Sequence, residues 1–157
     1  VASHDRNGIR GQIADQLAKY GPIAYPGKFR NNARQIPIAN NQKKLSFLSD
    51  FRFNICPENT NQPGYVTEKL FHAVAAGCIP IYWGSNNAPE PQVFNQRAIL
   101  FYDDQHPASF SSRLAELHAS PETLTTFAQQ PRFTPQAATE IYGYYQKLER
   151  ALTQVLA

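Results

Sequence analysis

Between Phe53 and Lys69 the sequence reads Phe-Asn-Ile-Cys-Pro-Glu-Asn-Thr-Asn-Gln-Pro-Gly-Tyr-Val-Thr-Glu-Lys, ending on a carboxylate beside an ammonium. Glu68 is an acceptor suited to a pair of sugar hydroxyls. Lys69 is a cation suited to a phosphate, so the two together match what a nucleotide sugar presents. A helix starting near Thr67 would add free N–H groups and the positive end of its dipole. A plainer reading stands beside this one, because the dipole favours Glu in any first helical turn and Lys69 can simply be solvated. Tyr65, next to Gly64, is placed either to stack or hydrogen-bond with a ligand or to pack on the helix as a staple.

Other reactive residue types are poorly arranged. Asp103-Asp104 after a strand suggests either a metal-binding acidic pair or, as preferred here, a solvated strand end leading into the helix at Pro107. His4, His72, His106 and His118 lack the spacing of metal ligands, and no metal site is expected. Cys56 and Cys78 lie in apolar surroundings and read as buried free thiols.

The elements that must carry Glu68 and Lys69 alternate in type. Ile9, Ile13, Leu17 and Tyr20 recur at helical spacing over 8–20, and Gly21-Pro22 ends that helix. Residues 23–25 read as a short strand, 28–42 as a loop and 43–49 as a short helix. The alternating aromatic run 51–56 reads as a strand, 57–64 as a polar loop and 67–77 as a helix burying Leu70, Phe71, Val74 and Ala75. The apolar run 78–83 suits a buried parallel strand, and 98–102 another. Helices are expected over 107–120, from Pro121 onward and over 139–156. Val1–Ser3 reads as the end of a strand. Such alternation predicts a doubly wound, Rossmann-like parallel sheet flanked by helices, with ligands at the carboxyl ends of its strands.

Composition narrows the class. With 157 residues, a net charge of +3 and 42% hydrophobic residues, the chain has the size and content of one packed domain. Its mean hydropathy is −0.47. The longest mostly apolar stretch, Ala73 to Trp83, falls short of the roughly 20 residues that span a bilayer. Lys43-Lys44 is the one adjacent basic pair, so no nucleic-acid partner is expected. The absence of sequons and of a signal peptide favours a cytoplasmic protein. The chain has no methionine and begins at Val1, so it is expected to be a piece of a longer protein.

The run from Phe53 to Lys69, continued by Ile79-Pro80-Ile81-Tyr82-Trp83-Gly84-Ser85, resembles the α1,3/4-fucosyltransferases of glycosyltransferase family 10, the bacterial members in particular. Weaker similarity reaches Val1–Ser3, Arg10 and Phe29-Arg30-Asn31-Asn32. The resemblance implies a two-lobed GT-B fold of which residues 1–157 are the C-terminal, GDP-fucose-binding lobe, with helices from about 107. Arg10 and Lys69 then match the cations on the donor diphosphate, and Glu68 the glutamate on the sugar hydroxyls. Asn59 and Tyr65 match residues lining the phosphate and fucose, while Arg30 and Asn31 lie in the loop approaching the nucleoside. The implied reaction is inverting transfer of L-fucose from GDP-β-L-fucose to a glycan hydroxyl, in α1,3 or α1,4 linkage and with no cofactor required. An N-acetylglucosamine-containing acceptor and a base from an N-terminal lobe complete that picture, together with a position peripheral to the inner membrane. That lobe is not in these residues, so the chain alone is expected to transfer little. Two alternatives remain: a donor lobe for another nucleotide sugar, or a non-catalytic binding module. Tyr142, Tyr144 and Tyr145 in the last helix read as packing against another lobe in preference to an interfacial belt.

Overall fold

The computed structural model of the chain describes residues 4–5, 7–36 and 40–156. Among these, three parallel strands form one sheet, β1 (Phe53–Ile55), β2 (Ile79–Tyr82) and β3 (Leu100–Phe101), in the order β1-β2-β3. Six α-helices surround it: α1 (Ile9–Leu17), α2 (Asn41–Leu48), α3 (Glu68–Ala75), α4 (Pro107–Ala119), α5 (Pro121–Ala128) and α6 (Ala137–Leu156). Register pairs Phe53 with Ile79 and Ile55 with Ile81, then Ile81 with Leu100.

The central strand is buried on both faces, which is why its sequence is almost wholly apolar rather than alternating. Ile79, Ile81 and Trp83 join Ile9, Ile13 and Leu17 of α1 and Phe110, Leu114, Leu117 and Phe127 of α4 and α5 in one core. Tyr82 points the other way, into a second core with Cys56, Leu70, Val93, Phe94 and Ile99. Pro80 sits in this central strand without costing a ladder bond. The odd residues of β2 bond to β1, as in Ile79 N–H to Arg52 and Cys56 N–H to Ile81. Pro80 therefore faces β3, one residue before that pairing begins at Ile81.

Several expectations need correction. Residues 23–25 form no strand, because neighbouring asparagines occupy their backbone groups. Asn32 Oδ1 accepts from Tyr25 N–H at 2.7 Å, Asn32 Nδ2 donates to the Ile23 carbonyl at 2.8 Å, and Asn31 Nδ2 donates to the Tyr25 carbonyl at 3.0 Å. The strand expected at Val1–Ser3 lies outside the described residues. Among the described residues the strand order runs 1-2-3, with α1 packed on one face of the sheet and α3 on the other, as the alternating pattern predicts. Phe71 and Ala75, expected on the buried side of α3, are exposed, although the Phe71 ring still packs edge-on against Phe94. None of the described helices is long and apolar enough to cross a membrane.

Ile81 is completely buried where β2 meets both neighbours. Ile81→Ala should lower the free energy of unfolding by about 2–5 kcal/mol in urea denaturation; a loss under about 1 kcal/mol would contradict this packing.

Candidate functional site

The carboxyl end of β1 delivers Glu58 into the site. Its N–H donates to the Trp83 carbonyl at 2.8 Å, two residues beyond the Cys56–Ile81 bond, so the β1–β2 ladder continues into the loop. The Glu58 side chain has no exposed surface, and a buried carboxylate must find donors. Oε1 accepts from the Thr67 N–H at 2.8 Å. Oε2 accepts from the Thr67 hydroxyl at 2.7 Å and from Lys69 Nζ at 2.9 Å. Lys69 Nζ also donates to Thr67 Oγ1 at 2.7 Å. The Thr67 hydroxyl is thereby turned away from the cap of α3, whose first turn has no side-chain acceptor.

Gly84 makes room for this cluster. Its φ of 134° and ψ of 173° suit glycine alone, and a Cβ there would lie 2.8 Å from the Glu58 Cβ. The Tyr82 hydroxyl, beside the same carboxylate, is buried without a hydrogen-bond partner. Burial first, then the Glu58 charge, pushes that phenol above its ordinary range.

Arg10 brings a second cation to this end of the sheet. Asp5 occupies the N-terminus of α1, accepting from the Arg10 N–H at 3.0 Å and the Gly11 N–H at 2.8 Å. The Arg10 side chain then reaches the end of β1, where Nη1 donates to the Ile55 carbonyl at 3.3 Å. Its Nε is buried without a partner. Burial lowers its pKa, and the charges of Asp5, Cys56 and Glu58 oppose that shift. A half-buried guanidinium with unused donors is arranged to receive an anion.

The remaining expected residues divide. Glu68 opens α3 with its side chain exposed, adjacent to Lys69. Asn59 and Tyr65 lie on the exposed 59–66 loop, which is strapped to the turn after β2: Gly64 N–H donates to Ser85 Oγ at 3.1 Å and Asn86 N–H to Asn61 Oδ1 at 2.7 Å. Ser85, Asn86 and Asn87 all have left-handed backbones, with φ of 48°, 50° and 54°, a costly run for non-glycine residues. Arg30 and Asn31 serve their own loop. Arg30 pairs with Asp15 of α1, and Asn31 Nδ2 donates to the carbonyls of Tyr25, Gly27 and Ala33.

Reading the sequence left Glu58 without a role, and missed Thr67, Gly84 and Tyr82. The available signal was Glu58 at a strand's carboxyl end followed by the Thr-Glu-Lys start of a helix. Lys44 of α2 donates to His72 Nδ1 at 2.8 Å, which gives the histidine a structural partner. Asp104 accepts from the Trp83 indole at 2.8 Å, and Asp103 from the Gln105 N–H at 2.9 Å. Both acidic side chains thus have structural partners at the strand end. Cys56 and Cys78 are buried and free, and burial raises the Cys78 thiol to about 11.

Residues 1–148 match the sequence model of the C-terminal domain of glycosyltransferase family 10, the fucosyltransferases. The chain belongs to this family. It is 38% identical over 104 residues to the alpha-(1,3)-fucosyltransferase FucT of Helicobacter pylori, covering 66% of this chain and 20% of that protein. It is 31% identical over 114 residues to the GDP-fucose protein O-fucosyltransferase 3 of Bos taurus, covering 69% and 24%. A solved alpha1,3-fucosyltransferase with GDP-fucose superposes with a TM-score of 0.68 at 30% identity, covering 82% of this chain and 37% of that one. The parallel sheet flanked by helices is thus the fold expected from the family 10 resemblance. The matched part spans 20% to 37% of the length of these relatives.

Two consequences of the geometry are testable. Gly84→Ala should cost at least about 2 kcal/mol, because it combines a glycine-only backbone with a clash at Glu58; an unchanged melting temperature would refute that clash. Burial first, then Lys44, holds His72 below the ordinary imidazole range. The unfolded chain then binds the extra proton, so this contribution to stability is full above about pH 6.5 and declines as pH falls below it. The melting temperature should drop from pH 7.5 to 5.5, and drop less in His72→Gln; equal drops would exclude His72 as the cause.

Proposed function

We propose that this chain is the GDP-fucose-binding lobe of an inverting fucosyltransferase that transfers L-fucose to a glycan hydroxyl in α1,3 or α1,4 linkage. The observation that carries the reading is the meeting of two cations at the carboxyl end of β1. Arg10 has donors to spare, and Lys69 stands in the first turn of a helix without a side-chain cap. Departure of a nucleoside diphosphate builds negative charge on its oxygens. A planar guanidinium, a point-charge ammonium and a helix N-terminus are suited to take that charge up.

Glu68, exposed beside Lys69, is placed to accept from sugar hydroxyls next to the bound diphosphate. Relatives support a donor role over an acceptor role for this region. The bacterial relative's name gives a linkage and the bovine relative's names a protein acceptor, whereas both name fucose transfer and the bovine one names GDP-fucose. The general base and the acceptor site, expected for an N-acetylglucosamine-containing glycan, are assigned to a separate N-terminal lobe. Arg10 and Lys69 supply the positive charge at the diphosphate, so the proposed reaction needs no metal there.

Titration calorimetry of the intact protein with GDP-fucose, GDP-mannose, GDP and UDP tests the reading. Guanine nucleotides should bind and UDP should not. Arg10→Ala and Lys69→Ala should each weaken GDP on the order of 10- to 100-fold, the range for losing a charge-assisted bond. Tighter binding of UDP, or of GDP-mannose over GDP-fucose, would replace fucose with another donor.

A further inference from the structure

We infer that Glu58 is a positioning residue for the donor diphosphate, acting through Lys69 and touching no substrate itself. This inference rests on the diphosphate-binding reading of Lys69. It assigns Glu58 neither a base's nor a nucleophile's role, for its side chain is sealed from solvent and all its contacts run inward.

The argument is one of donor stereochemistry. An ammonium carries three N–H groups on a tetrahedral nitrogen. Glu58 Oε2 and Thr67 Oγ1, themselves 2.7 Å apart, accept from Lys69 Nζ at 2.9 and 2.7 Å, so both lie on one side of the nitrogen. Donor capacity on its other side is left for a ligand, and the side chain keeps a fifth of its surface exposed to meet one. A free lysine has a flexible four-carbon stem whose ordering costs rotamer entropy. Here the ordering is complete before any ligand arrives, which favours binding by preorganisation.

The cluster also ties the cation to the helix end. Glu58 Oε1 holds the Thr67 N–H while Oε2 holds the Thr67 hydroxyl and Lys69, so one carboxylate sets both the ammonium and the residue preceding α3. The side chain is held at its root, because the Glu58 backbone N–H donates to the Trp83 carbonyl and Gly84 packs on its stem. The two anion-attracting features at this end of the sheet, the ammonium and the uncapped first turn of α3, therefore keep one mutual geometry.

A double-mutant cycle in the intact protein tests the coupling. GDP affinity is measured by calorimetry for the wild type, Glu58→Gln, Lys69→Ala and the double variant, with guanosine as a probe lacking the diphosphate. Thermal melts run alongside. Glu58→Gln should weaken GDP about tenfold while leaving guanosine unchanged, and should have no further effect once Lys69 is alanine. Glu58→Gln affinity within twofold of wild type, an equal loss for guanosine, or an additive loss in the double variant would overturn the positioning role. Should Glu58→Gln fail to fold, Thr67→Val keeps the carboxylate while removing one of the two acceptors of Lys69. It should weaken GDP about threefold in the Lys69 background alone, and a loss that persists in Lys69→Ala would refute the inference. Loss of the diphosphate reading itself would look different: GDP would not bind the wild type, or would bind equally well to Lys69→Ala.

Discussion

A buried carboxylate organises this end of the molecule. Glu58 loses all contact with water, and an ion in that position is tolerable only if its oxygens are fully hydrogen-bonded and its charge opposed. Thr67 and Lys69 meet both demands. Everything nearby follows from keeping them there. The ladder bond to Trp83 holds the Glu58 backbone, and glycine is required at position 84 because any side chain would collide with the Glu58 stem. The Thr67 hydroxyl is diverted from capping α3 to bridging the ion pair. The interaction therefore links a strand end, a loop closure and a helix start.

The sheet provides the rigid support. Parallel strands place their carboxyl ends side by side, and burial of β2 on both faces leaves that edge little freedom. Arg10 arrives from the opposite side of β1, its helix start already occupied by Asp5. Only its side chain, and not the α1 dipole, is therefore free to meet an anion. Across the site the 59–66 loop is tied to Ser85 and Asn86, two of three consecutive left-handed residues after β2. Such strain tends to gather where a loop must be held in one shape.

Local patterning was enough for the longer elements. The four-residue recurrence of Ile9, Ile13 and Leu17 named α1 and its buried face, and the unbroken apolar run around Ile81 named a doubly buried strand. It failed at 23–25, where an apolar triplet between turn signals looks like a strand. Its partners are two asparagine side chains from the following loop, and a composition window does not register them. Arg30 and Asn31 illustrate the same limit. Their residue types suit a ligand, yet an aspartate on α1 and three carbonyls of the loop take up their hydrogen bonds.

The sequence by itself determined that a glutamate and a lysine would open a helix just after a strand and its loop, because element type and end signals are short-range properties of the chain. It also determined the family, through the long run from Phe53 to Ser85. Tertiary structure decided which carboxylate meets the lysine. Glu68 is its neighbour along the chain, but consecutive residues on a helix point in different directions. Glu58 is eleven positions away and arrives only when β1, the loop and α3 pack together. The same folding left Arg10 short of partners beside it. Which charges are satisfied and which stay open to a ligand depends on burial and direction in three dimensions, and neither is carried by residue order alone.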